Sequence, residues 1–74
     1  MTKTIEQIRS WLSDPAKWEG ITVMYLCDAR GRCYNDGMNY DEAKGIELEQ
    51  IPARATEIRL INPSMIQYWR LLIR

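Results

Sequence analysis

Residues 21–35, ITVMYLCDARGRCYN, set a largely apolar run directly against a turn signal and a returning segment. Successive side chains of an extended chain point to opposite sides. Ile21, Val23, Tyr25 and Cys27 therefore share one face, and Thr22, Met24 and Leu26 the other. Both faces are largely apolar, which predicts a strand covered on both sides and central in its sheet. The β-branched and aromatic content favours a strand over a buried helix. Asp28-Ala29-Arg30-Gly31 supplies the turn: Asp suits the first position of a type I turn, and Gly takes a left-handed position without a Cβ clash. A three-residue loop closed by a bulge sets Asp28 opposite Arg32, Cys27 opposite Cys33 and Tyr25 opposite Asn35; a four-residue loop shifts every pair.

Upstream, Thr4-Ile5-Glu6-Gln7 fits a capping box, and Ile5, Ile8, Trp11 and Leu12 recur at helical spacing to form one apolar stripe. Pro15 disfavours helical geometry at Asp14, so the helix ends near Ser13. Asp14-Pro15 can cap a further short turn that carries Trp18 inward before Gly20. Downstream, Asp36-Gly37 is another turn. Asn39 and Glu42 then predict a single helical turn at Tyr40–Lys44, with a short strand at Ile46–Gln50 after it; one helix over Tyr40–Gln50 is the competing reading. Thr56–Ile61 reads as a half-buried strand with Ile58 and Leu60 inward and Glu57 and Arg59 outward. Asn62-Pro63-Ser64 is a turn. Met65–Arg74 fits either a strand face or a helix stripe, and its Ile, Tyr and Trp content favours strand.

With 74 residues the chain has room for one domain, of a size at which a single core leaves only a few kcal/mol of net stability. Apolar residues at 46% and charged residues at 27% place it with globular rather than disordered chains. The fold class that follows is α+β: an N-terminal helix packed on a small, mostly antiparallel sheet of about four to five strands. No stretch matches a membrane span or the apolar core of a signal peptide, which predicts a cytoplasmic protein without membrane contact. In that compartment Cys27 and Cys33 are read as thiols, although the hairpin register lets them approach.

The chain has no histidine. That removes the commonest general base and metal ligand, and with it every arrangement of a nucleophile and an imidazole. Two cysteines do not make a structural zinc site within one chain, and the scattered glycines form no phosphate loop. The expectation is a protein that is not an enzyme and carries no cofactor or metal. Charge is neutral only on average: Asp36, Asp41, Glu42, Glu47 and Glu49 face Lys44 alone, whereas Arg54, Arg59, Arg70 and Arg74 face Glu57 alone. The acidic strip suits a basic surface on a partner. Arg30-Gly31-Arg32 at the hairpin tip could contact phosphates, but zero net charge weighs against nucleic acid as the partner.

Seven aromatics, all Tyr or Trp, accompany the arginines, which is the residue mix that dominates binding energy at protein interfaces. Trp11, Trp18 and Trp69 are expected to serve the core. Arg30, Arg32, Tyr34, Tyr40, Asp41 and Glu42 are the expected partner-binding residues. A C-terminal edge strand offers unpaired backbone groups, and self-pairing into a homodimer is the simplest way to satisfy them.

The leading functional reading is a small non-enzymatic module for protein–protein interaction. The alternatives are a small nucleic-acid-binding transcriptional regulator and a small subunit of a larger assembly. In size, neutrality and lack of histidine the chain is similar to small accessory proteins of bacteriophages and mobile elements, including anti-CRISPR and anti-activator proteins. That likeness implies inhibition of a host protein by occluding its surface.

Overall fold

Helix α1 (Ile5–Leu12) begins where the capping box places it: Thr4 Oγ1 accepts from the Gln7 N–H at 3.2 Å, and Gln7 Oε1 accepts from the Thr4 N–H at 2.9 Å. Two backbone donors at the helix start are thereby satisfied by side chains. Thr4→Ala should lower stability by about 1 kcal/mol. In urea this reads as a lower midpoint with an unchanged slope, and an unchanged midpoint would refute it. In the computed structural model, residues 3–70 are described, and α1 turns Ile8 and Leu12 fully into the core with Ile5 and Trp11 packed at its margin.

Past Ser13, Asp14 Oδ1 accepts from the Ala16 N–H at 3.0 Å and Pro15 opens a 3-10 helix, Pro15–Trp18. Trp18 is buried, and its indole N–H donates to the Leu12 carbonyl at 2.7 Å. A carbonyl left without a partner at the helix end thus receives the only polar group of a core tryptophan.

Strands β1 (Val23–Cys27), β2 (Glu57–Ile61) and β3 (Ile66–Arg70) pair antiparallel in the order β1-β2-β3. Among the described residues the sheet has these three strands, fewer than the four to five expected. The central strand is β2, so the expectation that 21–27 would be central is corrected. The hairpin neck forms as expected, with Cys27 opposite Cys33 in an isolated bridge. The return segment then leaves the ladder. Met24 pairs with Met38, whereas an unbroken register would bring it to residue 36. The expected pairing of Tyr25 with Asn35 is replaced by a side-chain bond, in which Asn35 Oδ1 accepts from the Leu26 N–H at 2.8 Å. The outer edge of β1 is nonetheless filled: Leu26 O accepts from Tyr34 N–H at 2.8 Å, and Met24 and Met38 exchange bonds of 2.8 and 2.9 Å.

Helix α2 (Tyr40–Ala43) is the expected single turn. Its capping box joins Asn39 and Glu42. The strand expected at 46–50 is instead a 3-10 turn, Leu48–Gln50. Gln50 Oε1 accepts from the Glu47 N–H at 2.8 Å, a local bond that an extended segment could not make. Arg9 ties this region to α1 by donating from Nε to the Ile46 carbonyl at 2.7 Å and pairing with Glu47. The C-terminal segment is a strand as far as residue 70; the rest of that expectation lies outside the described residues. Met24 and Leu26 of β1 and Ile58 and Leu60 of β2 form the inner face, covered by Ile8, Leu12, Trp18, Ala43, Ile46, Ile51 and Ala55. No helix of the described residues is long and apolar enough to cross a membrane.

Candidate functional site

Strand alternation sends Val23, Tyr25 and Cys27 of β1, Glu57, Arg59 and Ile61 of β2, and Ile66 and Tyr68 of β3 to the face away from the helices. The register lines them up in rows across the sheet. Val23, Ile61 and Ile66 form an aliphatic row; Tyr25, Arg59 and Tyr68 form the next. Cys27 and Glu57 begin a third. Arg59 is half-buried, its guanidinium 4.9 Å from the centre of the Tyr68 ring and 3.1 Å from Glu57 Oε2. Burial alone would lower its pKa, but the bond to Glu57 outweighs that and raises it, so the cation is secure. Met65, Ile66 and Tyr68 are 55%, 50% and 60% exposed. Of these, Ile66 and Tyr68 lie on β3 and Met65 directly precedes it, whereas exposed Leu48 lies in the helical layer.

The hairpin tip leans on this face. A Cβ built on Gly31 would lie 3.3 Å from Arg59 Nη1. The tip is held by one carboxylate: Asp28 Oδ1 accepts from the backbone N–H groups of Arg30 and Arg32 at 2.9 and 3.0 Å, and Oδ2 accepts from the Tyr34 hydroxyl at 2.9 Å. The expected pairing of Asp28 with Arg32 therefore runs through the Arg32 backbone. This leaves the Arg30 and Arg32 side chains exposed at the end of a fixed loop. Arg54 is near enough for its charge to act on the Tyr34 phenol.

Slight burial pushes the Asp28 pKa up, but the bonds from Arg32, Tyr34 and Arg30 outweigh it and hold the carboxyl below its ordinary 3.8. The stabilisation it carries is complete above 3.8 and lost as pH falls through that value towards the lower folded one. Tyr34 moves the other way: its bond to Asp28, then burial, raise it above 10.0, so its share is complete below 10.0 and lost at higher pH. Asp28→Asn should flatten the acid limb of a stability–pH curve, and Tyr34→Phe the alkaline limb. Limbs identical to those of the parent would show that the loop is held by other means.

No protein-family model, curated protein or solved structure matches this chain. Of the residues expected to bind a partner, the structure brings Arg30, Arg32 and Tyr34 together at the tip, with the Tyr34 hydroxyl engaged internally. Tyr40, Asp41 and Glu42 sit in the helical layer instead. The Tyr40 ring meets Trp18 edge to face at 5.7 Å, and its hydroxyl donates to the Ser13 carbonyl at 2.7 Å. Asp41 pairs with Lys44 at 3.2 Å, Glu42 caps α2, and Glu47 pairs with Arg9, so much of the acidic strip is engaged within the fold. Among the described residues no three Asp, Glu or Cys side chains converge as metal ligands.

Tyr25, Arg59, Tyr68 and Ile66 were not singled out by sequence reasoning. Outward alternation placed Arg59 correctly, but a row drawn from three separate strands becomes visible only once their order is known.

Proposed function

We propose that the chain is a non-catalytic binding module. Its contact surface is the outer sheet face together with the arginine-bearing tip, and it works by covering a surface of a partner protein, as small inhibitory accessory proteins do. The supporting observation is the Tyr25–Arg59–Tyr68 row, continuous with exposed Ile66 and adjoining Arg30 and Arg32. Tyr and Arg anchors beside aliphatic side chains are what protein interfaces concentrate at their centres. The free guanidinium groups favour an acidic patch on the partner.

The test is quantitative capture of partners from host lysate by folded variants. Tyr68→Ser, and Arg30→Ala with Arg32→Ala, should each reduce recovery about tenfold or more. Asp41→Asn, in the helical layer, should leave it unchanged. Recovery that survives the first two changes and falls with the third defeats the reading.

Exposed Tyr68 supports a second reading, a nucleic-acid platform, because an aromatic side chain on a sheet face stacks with bases and flanking arginines meet phosphates. Anisotropy with single-stranded DNA and RNA decides it: affinity that falls steeply with salt supports this reading, and no binding at low salt removes it.

A further inference from the structure

We infer that Cys27 and Cys33 form a thiol–disulfide exchange site, in which Cys33 reacts with low-molecular-weight disulfides and Cys27 closes an intramolecular disulfide across the hairpin neck. Both cysteines are free thiols. The bonds that flank them run from Asp28 N–H to Arg32 O and from Tyr34 N–H to Leu26 O, both between the neighbours of the pair. The two cysteines thus occupy a non-hydrogen-bonded antiparallel position, where Cα atoms come closest, at about 4.5 Å. That separation lies inside the range that a disulfide spans without backbone movement, and the two Sγ atoms are already 2.9 Å apart.

Exposure assigns the roles. Cys33 is open to solvent, while Cys27 is fully buried. Burial, with the nearby Cys33, pushes the Cys27 thiol up to about 12, so Cys33 is the thiol that reacts first. In the first step the Cys33 thiolate attacks one sulfur of the small disulfide, whose S–S bond breaks and releases one thiolate. In the second, Cys27 gives up its proton and attacks Cys33 sulfur; the mixed disulfide breaks and the other half departs, protonated as a thiol. Two electrons pass from the two cysteines to the oxidant, whose halves leave as one thiolate and one thiol. The ring this closes holds Asp28 to Arg32, the whole tip.

Oxidised glutathione is the probe, in buffers of varied reduced-to-oxidised ratio, read by intact mass. The folded protein should lose two hydrogen masses without retaining a glutathione adduct. Its effective thiol concentration should exceed that of the urea-unfolded chain by about tenfold or more, because a disulfide that fits the native fold is favoured by that fold. Cys33→Ser, a change at an exposed site, should leave Cys27 unreactive while the protein is folded. A persistent glutathione adduct on the wild-type chain, or equal effective concentrations folded and unfolded, overturns the inference. These readouts need no partner, so they stand apart from the proposed function.

Discussion

Gly37→Ala should lose about 3 kcal/mol of stability, with a fall in Tm of about 15 °C. Gly37 has φ +97, and a Cβ there would sit 2.6 Å from Val23 Cγ2 and 3.4 Å from Tyr25 Cε1. Two costs add. The left-handed backbone strains any residue with a Cβ, by about 1–2 kcal/mol. The contact with Val23 then forces the 36–38 turn off β1, because a β-branched side chain in a strand has little rotamer freedom with which to retreat. Gly31 provides the control, since its φ of +87 is also left-handed but the nearest atom is the end of the Arg59 side chain, 3.3 Å away, which need give only slightly where Val23 must give far more. Gly31→Ala should therefore cost the strain alone, about half as much. Thermal melts of the two variants check the ranking, and equal losses would mean that the turn is not pressed against Val23.

Leu26→Ala should cost about 3 kcal/mol, within the 2–5 kcal/mol range for large-to-small changes in a core. Leu26 is fully buried, in a cluster with Ile58, Leu60, Ile8 and Leu12. The cavity cannot readily collapse, because the backbone on either side of Leu26 is pinned by Tyr34, Asn35 and β2. In a domain whose whole stability is of order 5 kcal/mol, that loss leaves about 2 kcal/mol and raises the unfolded fraction at room temperature roughly a hundredfold, to about 3%. Ile66→Ala deletes a comparable aliphatic side chain from the opposite face, where it is 50% exposed, and should cost under about 0.5 kcal/mol. The difference in urea midpoint between the two is the measurement. Similar losses would mean that the outer face is as closely packed as the inner one.

The features legible in the sequence are those decided within a few residues. The Thr4–Gln7 and Asn39–Glu42 boxes, the Asp14-Pro15 cap and the inward alternation of Ile58 and Leu60 each rest on local bonding or periodicity, and all appear in the fold. The Cys27–Cys33 register was legible for the same reason, since the loop between them is short. Beyond that neck the return segment obeys a competing preference. The Asn35 side chain substitutes for a backbone acceptor, and residues 35–37 loop out before Met38 rejoins β1. At Ile46–Gln50, alternation suggested a strand, but Glu47 and Gln50 bond reciprocally and the chain coils. The candidate site was hidden for a different reason. Tyr25, Arg59 and Tyr68 meet through pairings between distant segments, which composition and spacing do not encode.

The sealed border of β1 has an effect on assembly. With Met24 and Leu26 already occupied on that side by Met38, Tyr34 and Asn35, no visiting backbone can dock there, and growth by strand addition is confined to the β3 end. Two copies meeting at that end would each consume the border that the described residues leave open. Such a pairing would close at two copies, since neither sheet would then offer a further edge among the described residues.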